Sequence, residues 1–273
     1  MIDKYQYTLT LNALHEIHTE SSQIPTVAAH HIPGLPGFPA LPPESLLLGI
    51  AMDGLPLVLH LRDPRPGSIL ITGEQGCGKT DFIRLLLHAA DQLIAPGTVQ
   101  FALVTDFPDE FSREADLPCV LGVWAAADSA AADLLYRLSL MVDTPADNLP
   151  TVLLIDGLDS IFRTQAANRD NLAYLLHYGP HALIWPIVTA NAGFIATHPD
   201  WFNFFGTQIF GRIDNHSTAN SLALPMNKSL SELTRSSNFF LRRSSGFLNF
   251  RPPIPPYRAG SHPSTILANR SKS

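Results

Sequence analysis

The chain has 273 residues, enough for one large or two small domains, and its hydrophobic fraction of 45% supports a sizeable core and excludes a disordered chain. Charged residues make up 15%, and the net charge of −6 excludes a basic surface that grips DNA as a whole. The two cysteines lack CxxC spacing, which excludes a disulfide framework and a cysteine zinc site.

The N-terminal part predicts two segments that precede the main fold. Residues 1–22 are expected to form a short polar helix, because leucine and isoleucine recur there at helical spacing. Residues 24–43 contain six prolines, which favours a semi-extended linker or a strap over the surface. The globular part is therefore predicted to begin near Glu44, and residues 1–43 either belong to this fold or dock on a neighbouring subunit.

From Glu44 onward, strands alternate with helices. A hairpin turns at Asp53-Gly54, because both residues tolerate positive φ. The remaining predicted elements, in chain order, are strand 68–72, helix 81–94, strand 99–107, helix 128–142, strand 151–161, helix 171–179, strand 181–193 and the strand pair 239–243 and 246–250. Pro186 conflicts with a central strand. The alternation predicts an α/β fold, a mostly parallel sheet with helices on both faces, over residues 44–256, followed by a flexible tail over 257–273.

A glycine-rich loop between a strand and a helix matches G-x-x-x-x-G-K-[ST]; its residues are Gly73, Glu74, Gln75, Gly76, Cys77, Gly78, Lys79 and Thr80. Backbone N–H groups of such a loop cradle phosphates, the lysine reaches the β- and γ-phosphates, and the threonine hydroxyl ligates Mg²⁺. This pattern predicts ATP and Mg²⁺ as ligands; the alternative is a glycine-rich turn that binds nothing. Cys77 is interpreted as a small residue at a variable position rather than as a redox-sensitive thiol.

An acidic residue ends a second apolar strand. Val152 to Ile155 are apolar and place Asp156 at the strand end, where a carboxylate can hold Mg²⁺ together with Thr80. The alternative reading is an acidic residue that only caps a helix.

The order of these motifs resembles that of the FtsK/HerA superfamily of RecA-like motor ATPases. Six segments carry the resemblance: GIAMDGLPLVLHL before the loop, the loop itself, FALVTDFPDEF with Asp106 at its acidic position, LLIDGLDSI, IVTANAG and TQIFGRIDNHSTANSLAL. The resemblance covers roughly residues 45–250. It implies a RecA-like P-loop fold preceded by a β-hairpin, and ATP hydrolysis in a ring of identical subunits.

Several positions depart from the pattern of that superfamily. Gly157 stands where motor ATPases commonly carry a catalytic glutamate, and Asp159 is the nearest spare carboxylate. Asn191 replaces the glutamine that senses the γ-phosphate. His216 replaces an arginine of the late motif, which leaves Arg212 as the nearby cation. The candidate catalytic residues are therefore Asp156, Asp159, Asn191 and Arg212.

Three functions follow from these residues. The first is a ring-forming motor that acts on double-stranded DNA or on a polypeptide. The second is a weakly hydrolysing or non-hydrolysing nucleotide-binding module of a secretion or DNA-transfer assembly. The third, a signalling-type switch protein, is disfavoured because such proteins carry helices after the core, whereas this C-terminal part is strand-like. Arg242, Arg243 and Arg251 either touch DNA phosphates or, as we favour, lie on a solvated strand edge. The chain has neither a signal-peptide pattern nor a long apolar run, so a cytoplasmic protein without membrane insertion is expected.

Overall fold

The computed structural model describes residues 7–8, 44–144, 149–222, 238–244 and 246–252. Within these residues the strands are β1 Tyr7–Thr8, β2 Ser45–Ala51, β3 Pro56–His60, β4 Ile69–Gly73, β5 Gln100–Thr105, β6 Val120–Ala125, β7 Thr151–Asp156, β8 Ile184–Asn191, β9 Thr207–Phe210, β10 Phe239–Arg243 and β11 Gly246–Arg251. The α-helices are α1 Lys79–Leu93, α2 Ser129–Asp143, α3 Leu158–Phe162, α4 Ala166–Tyr178, α5 Ala192–Ala196, α6 Pro199–Phe202 and α7 His216–Ser221, and 3-10 turns cover Pro108–Phe111, Glu114–Asp116 and Gly179–Ala182.

All these strands form one sheet in the order β1-β3-β2-β11-β10-β9-β4-β8-β7-β5-β6. The strands from β9 to β6 are parallel to one another, whereas β10, β11, β2 and β3 extend the sheet in antiparallel fashion. The carboxyl ends of the parallel strands therefore meet at one edge, which is where open α/β sheets bind ligands.

Helices cover both faces of the sheet, because alternate residues of its strands are buried on opposite sides. Ile69 and Ile71 of β4 belong to a cluster that includes Phe82 and Leu86 of α1. The intervening Leu70 belongs to a second cluster, which is formed with α2, α3, α4 and α5. The predicted α/β fold, with a mostly parallel sheet, helices on both faces and a β-hairpin before the loop, is confirmed.

Two predicted strands are too long. The strand predicted over 151–161 ends at Asp156, because Gly157 has φ of +103°, and α3 follows at once. The strand predicted over 181–193 ends at Asn191, whose side-chain oxygen accepts a hydrogen bond from the N–H of Gly193 and so caps α5. In both places a short helix follows the strand end directly. The apolar pattern of a strand does not predict such a helix.

Pro186 does lie in a central strand, contrary to the expectation that proline is excluded there. It lies opposite Leu153 of β7, and the pairing of β8 with β4 begins one residue later, at Ile187. Proline is therefore placed at the start of one ladder, where its missing N–H costs least.

The predicted solvated edge near the C-terminal end is wrong. Strands β10 and β11 lie inside the sheet, between β9 and β2. The Arg242 guanidinium lies over the rings of Phe202, Phe210 and Phe247, at 5.6, 5.0 and 5.9 Å from their centroids. Its charge is therefore held against aromatic faces by cation–π contacts rather than offered to solvent.

Some predictions fall outside the described residues. Tyr7–Thr8 is extended and pairs with β3, which differs from the helix predicted over 1–22. The rest of that segment, the linker 24–43 and the tail 257–273 lie outside the described residues. Among the helices that are described, none combines the length and the apolar character that crossing a bilayer requires.

Gly49 tests the junction between β2 and β11. A Cβ atom at this position would lie 2.6 Å from Cδ2 of Phe250 and 2.8 Å from the carbonyl oxygen of Arg251. We expect Gly49→Ala to lower the free energy of unfolding by about 1–3 kcal/mol, because the antiparallel extension must move apart. Urea unfolding measures this.

Ser45→Ala, on the same strand, is the matched control. It removes a buried hydroxyl that has no hydrogen-bond partner, so the free energy of unfolding should stay the same or rise. Equal stability of the Gly49→Ala variant and the wild type would contradict the packing of β11 on β2.

Candidate nucleotide-binding site

The glycine-rich loop joins the end of β4 to the start of α1. Gly76 and Gly78 have φ of +74° and +93°, values that glycine adopts without strain. A Cβ atom at Gly76 would meet no atom within 4 Å, so this part of the loop borders open space. The loop backbone is thus shaped to receive an anion at the N-terminus of α1, a helix of 15 residues.

Lys79 is the cation of this loop. Its Nζ atom donates to the carbonyl oxygens of Gly73 and Glu74, at 3.0 and 2.9 Å, and lies 3.7 Å from Sγ of Cys77. The ammonium group is therefore held within its own loop. Phosphate oxygens carry negative charge, so they would attract this ammonium group more strongly than neutral carbonyl oxygens do.

Asp156 is held by two threonines. The hydroxyl of Thr80 donates to Oδ2 of Asp156 at 2.9 Å, and the hydroxyl of Thr189 donates to Oδ1 at 2.9 Å. Thr189 in turn accepts a hydrogen bond from the N–H of Gly157 at 2.8 Å. The structure therefore brings together the two residues predicted to hold Mg²⁺, and a threonine of β8 fixes the carboxylate from its other side.

Burial raises the pKa of Asp156, and the hydrogen bonds from Thr189 and Thr80 and the charges of Lys79 and Arg84 oppose that rise. Without a bound cation, the ionised form of this carboxylate is therefore less favourable in the folded protein than in water. A divalent cation beside it would remove that cost, because an opposite charge favours the ionised form. Carboxylate and hydroxyl oxygens are also the ligands that Mg²⁺ prefers.

The backbone conformation at Gly157 disfavours a catalytic glutamate at this position. Its φ of +103° is a conformation that residues with a side chain rarely adopt. A Cβ atom there would lie 3.4 Å from Oδ1 of Asp159. The absence of a glutamate at this position is therefore built into the backbone, and a substitution alone would not restore one without strain.

Asp159 is part of an exposed ion-pair network. Its Oδ2 atom lies 2.7 Å from NH1 of Arg163, and NH2 of the same arginine bonds the carboxylate of Asp106. Arg163 bridges the end of β5 and helix α3 in this way. The carboxylate predicted as a substitute base is thus held in an ion pair with Arg163.

Asn191 lies beside the loop because β8 pairs with β4 in the register Gly73 to Asn191. Its side-chain oxygen accepts the N–H of Gly193 at 2.9 Å and so caps α5. Its predicted role at the γ-phosphate stays a prediction.

Arg212 and His216 follow β9. Arg212 pairs with Asp214 at 3.0 Å, and its Nε atom is buried without a hydrogen-bond partner. Its carbonyl oxygen accepts the N–H of Glu74 at 2.9 Å, which places the arginine next to the loop. His216 is exposed at the start of α7.

Two loop positions carry side chains that differ in environment. Gln75 is exposed, whereas Cys77 is buried, and burial raises the pKa of its thiol. A raised pKa makes this thiol a poor nucleophile, consistent with its interpretation as a small packing residue.

The sequence prediction missed Thr189. The strand pattern marked it only as part of an apolar run, and its role depends on β8 lying between β4 and β7. A hydroxyl two residues before a strand end, facing an acidic residue at the end of the neighbouring strand, is the signal that could have identified it.

A family model described as an AAA ATPase domain matches residues 55–185, a stretch that contains the loop and Asp156. This is slightly less than half of the chain. No curated protein is similar enough in sequence to match the chain.

Solved structures resemble the chain in fold. EccC ATPases 2 and 3 from Thermomonospora curvata, in complex with a signal sequence peptide, gives a TM-score of 0.60 at 15% identity over 78% of this chain and 41% of that one. The structure of EssC ATPases 2 and 3 from Geobacillus thermodenitrificans gives a TM-score of 0.65 at 12% identity. The match covers 80% of this chain and 46% of that one. The monomer form of the pCW3 conjugation coupling protein TcpA with ATPγS gives a TM-score of 0.57 at 14% identity. The match covers 78% of this chain and 66% of that one.

The chain thus has the fold of RecA-like P-loop NTPases, and the resemblance to FtsK/HerA-type ATPases predicted from motif order is confirmed at the level of the fold. It spans less than half the length of the EccC and EssC structures. Identities of 12 to 15% extend to the fold and not to substrates or partners.

Asp156→Asn tests the cost of burying this carboxylate. An acid whose pKa is raised by folding stabilises the protein fully below its unfolded-state pKa and loses that contribution as pH rises through its folded-state pKa. We therefore expect the asparagine variant, without nucleotide or Mg²⁺, to be more stable than the wild type near neutral pH, by about 1 kcal/mol. The difference should shrink at acidic pH.

Urea unfolding at several pH values measures both effects. Asp159→Asn, which changes an exposed carboxylate near the same strand end, is the control and should not gain stability near neutral pH. A less stable Asp156→Asn variant at neutral pH would contradict the raised pKa.

Proposed function

We propose that this chain binds ATP with Mg²⁺ at the glycine-rich loop and serves as a slowly hydrolysing nucleotide-binding module of a larger assembly. The observation that carries the proposal is the contact between Thr80 and Asp156, 2.9 Å apart, at the first turn of the helix that the loop opens. The nucleotide-binding unit is proposed to span residues 44–256, to whose sheet Tyr7–Thr8 adds a short edge strand, with residues 257–273 outside it.

The loop residues fit a triphosphate. Gly76 and Gly78 adopt positive φ, and the ammonium group of Lys79 lies against the backbone of the same loop. N–H groups at the start of α1 add a positive dipole end. These features together favour an anion with several oxygens over a single carboxylate.

The oxygens of Thr80 and Asp156 fit Mg²⁺. When held by these residues, this ion would supply positive charge that offsets the charge of the phosphates. Thr189 keeps the Asp156 carboxylate oriented, so that one of its oxygens faces Thr80. The buried carboxylate, whose pKa is raised, gains most from such a cation.

Slow hydrolysis is supported by the state of the groups that would activate water. Gly157 has no side chain, and Asp159 is paired with Arg163. Arg212 is paired with Asp214 within the same chain. A base that orients the attacking water must be free and closely placed, so the ion pair of Asp159 disfavours its use as that base. The ion pair of Arg212 with Asp214 likewise disfavours its use as a cation at the phosphates.

A ring-forming motor that moves DNA or a polypeptide is the second candidate. The fold shared with a conjugation coupling protein solved with ATPγS and with EccC solved with a signal sequence peptide favours it. In such a ring of identical chains, a cation from a neighbouring copy would complete the site. DNA is the less favoured cargo, because the net charge is −6 and Arg242 lies against aromatic rings.

Lys79→Ala tests nucleotide binding. It removes the cation of the loop, so affinity for Mg·ATP should fall by roughly tenfold or more, the value of a charge-assisted hydrogen bond. A fluorescence or calorimetric titration measures this, with the unfolding midpoint as a check on folding. Arg113→Ala, which removes an exposed cation outside the loop residues 73–80, should bind as the wild type does. Unchanged affinity in the Lys79 variant would refute the proposed site.

Phosphate release distinguishes the module from the motor. We expect the purified chain with ATP and Mg²⁺ to release phosphate slowly, at a rate that double-stranded DNA does not change. Turnover stimulated by DNA, together with a steep fall of DNA affinity with salt, would support the motor instead. Stimulation by a polypeptide without that salt dependence would support a polypeptide motor.

A further inference from the structure

Glu74, the second residue of the loop, faces the chain segment that follows β9. Its carboxylate accepts hydrogen bonds from the backbone N–H groups of Asp214 and Asn215, at 2.8 and 3.0 Å. Its own N–H donates to the carbonyl oxygen of Arg212 at 2.9 Å. One residue of the loop is thus joined to the segment 211–215 by three hydrogen bonds.

A second loop side chain packs on the same segment. The Sγ atom of Cys77 fills the space between Gly73 and Gly211, so that a Cβ atom at either glycine would lie 2.6 or 2.8 Å from it. The N–H of Gly211 donates to the carbonyl oxygen of Thr72 at 2.7 Å. Two of the loop's variable positions, 74 and 77, therefore contact segment 211–215.

This segment sets the position of α7. The side-chain oxygen of Asn215 accepts the N–H groups of Ser217 and Thr218, at 2.9 and 3.2 Å, and caps the helix. Because Glu74 bonds the backbone of that capping residue, a movement of the loop is transmitted directly to the cap. His216 and Arg212 lie on either side of the contact.

We propose that Glu74 is a positioning residue that couples occupancy of the loop to the placement of segment 211–215 and α7. This rests on the proposed function. A carboxylate in a phosphate-binding loop repels phosphate unless its charge is directed elsewhere, and the two N–H groups hold it there. A bound triphosphate restricts the loop, and the restriction passes through Glu74 to the backbone of Asp214 and Asn215.

Amide hydrogen exchange of the protein without nucleotide, followed residue by residue by NMR, tests the contact itself. Glu74→Ala should speed exchange of the Asp214 and Asn215 amides by about tenfold, because each loses a charged acceptor. Glu74→Gln should retain most of the protection, because its side-chain carbonyl oxygen still accepts. Unchanged exchange in the alanine variant would overturn the proposal.

Asp53→Ala is the matched control. It also removes a carboxylate that accepts a backbone N–H, that of Leu55 at 3.1 Å, but it lies in the β2–β3 turn. It should affect exchange near residue 55 and leave Asp214 and Asn215 as in the wild type. Faster exchange at those two amides in this variant would overturn the specific role of Glu74.

The second arm adds Mg·ATP at concentrations that saturate each variant, as established by titration. In the wild type and in Glu74→Gln, the nucleotide should slow exchange at Asp214 and Asn215 further. In Glu74→Ala it should not. Equal slowing in all three variants would overturn the coupling. Failure of the wild type to bind Mg·ATP would overturn the proposed function and the coupling with it, while the nucleotide-free arm would still report on the contact.

Discussion

The arrangement of this site depends on one part-buried carboxylate, both of whose oxygens accept hydrogen bonds. Partners at both oxygens offset the cost of removing the charge of Asp156 from water. Thr80 of α1 and Thr189 of β8 are these partners, so the helix that follows the loop and the strand beside it are fixed relative to β7. The order of β4, β8 and β7 in the sheet is what makes these contacts possible.

Part of this site could be predicted from the sequence and part could not. The loop and Asp156 could be predicted, because the loop residues are consecutive and each feature directly follows an apolar strand. Thr189 could not, because its role arises from strand order, which no local pattern encodes. The short helix after Gly157 and the cap at Asn191 were missed for a related reason: each depends on a turn geometry rather than on hydrophobic periodicity. The basic cluster near the C-terminal end was misplaced because burial of Arg242 among aromatic rings requires knowing that β10 is an interior strand.

The proposed binding residues and the proposed catalytic residues have different environments in this molecule. Lys79, Thr80 and Asp156 converge at the loop, whereas Asp159 and Arg212 are each engaged with an oppositely charged neighbour. A nucleotide that is held and only slowly cleaved acts as a ligand of the folded state, which it stabilises in proportion to the logarithm of its concentration above Kd. On the proposed function, ATP would then contribute to the persistence of an assembly more than to movement.

The antiparallel extension of the sheet determines where a label or a fusion can be attached without disturbing the site. Strand β11 runs in the same direction as β4, and β2 runs in the opposite direction. Residue 252, after β11, and residue 44, before β2, therefore both lie at the edge of the sheet that carries the loop. The turn between β2 and β3, over residues 52–55, faces the opposite edge. A fluorophore or a surface tether is therefore best attached at that turn, where it leaves the nucleotide edge open, whereas fusions at either end of the core emerge beside it.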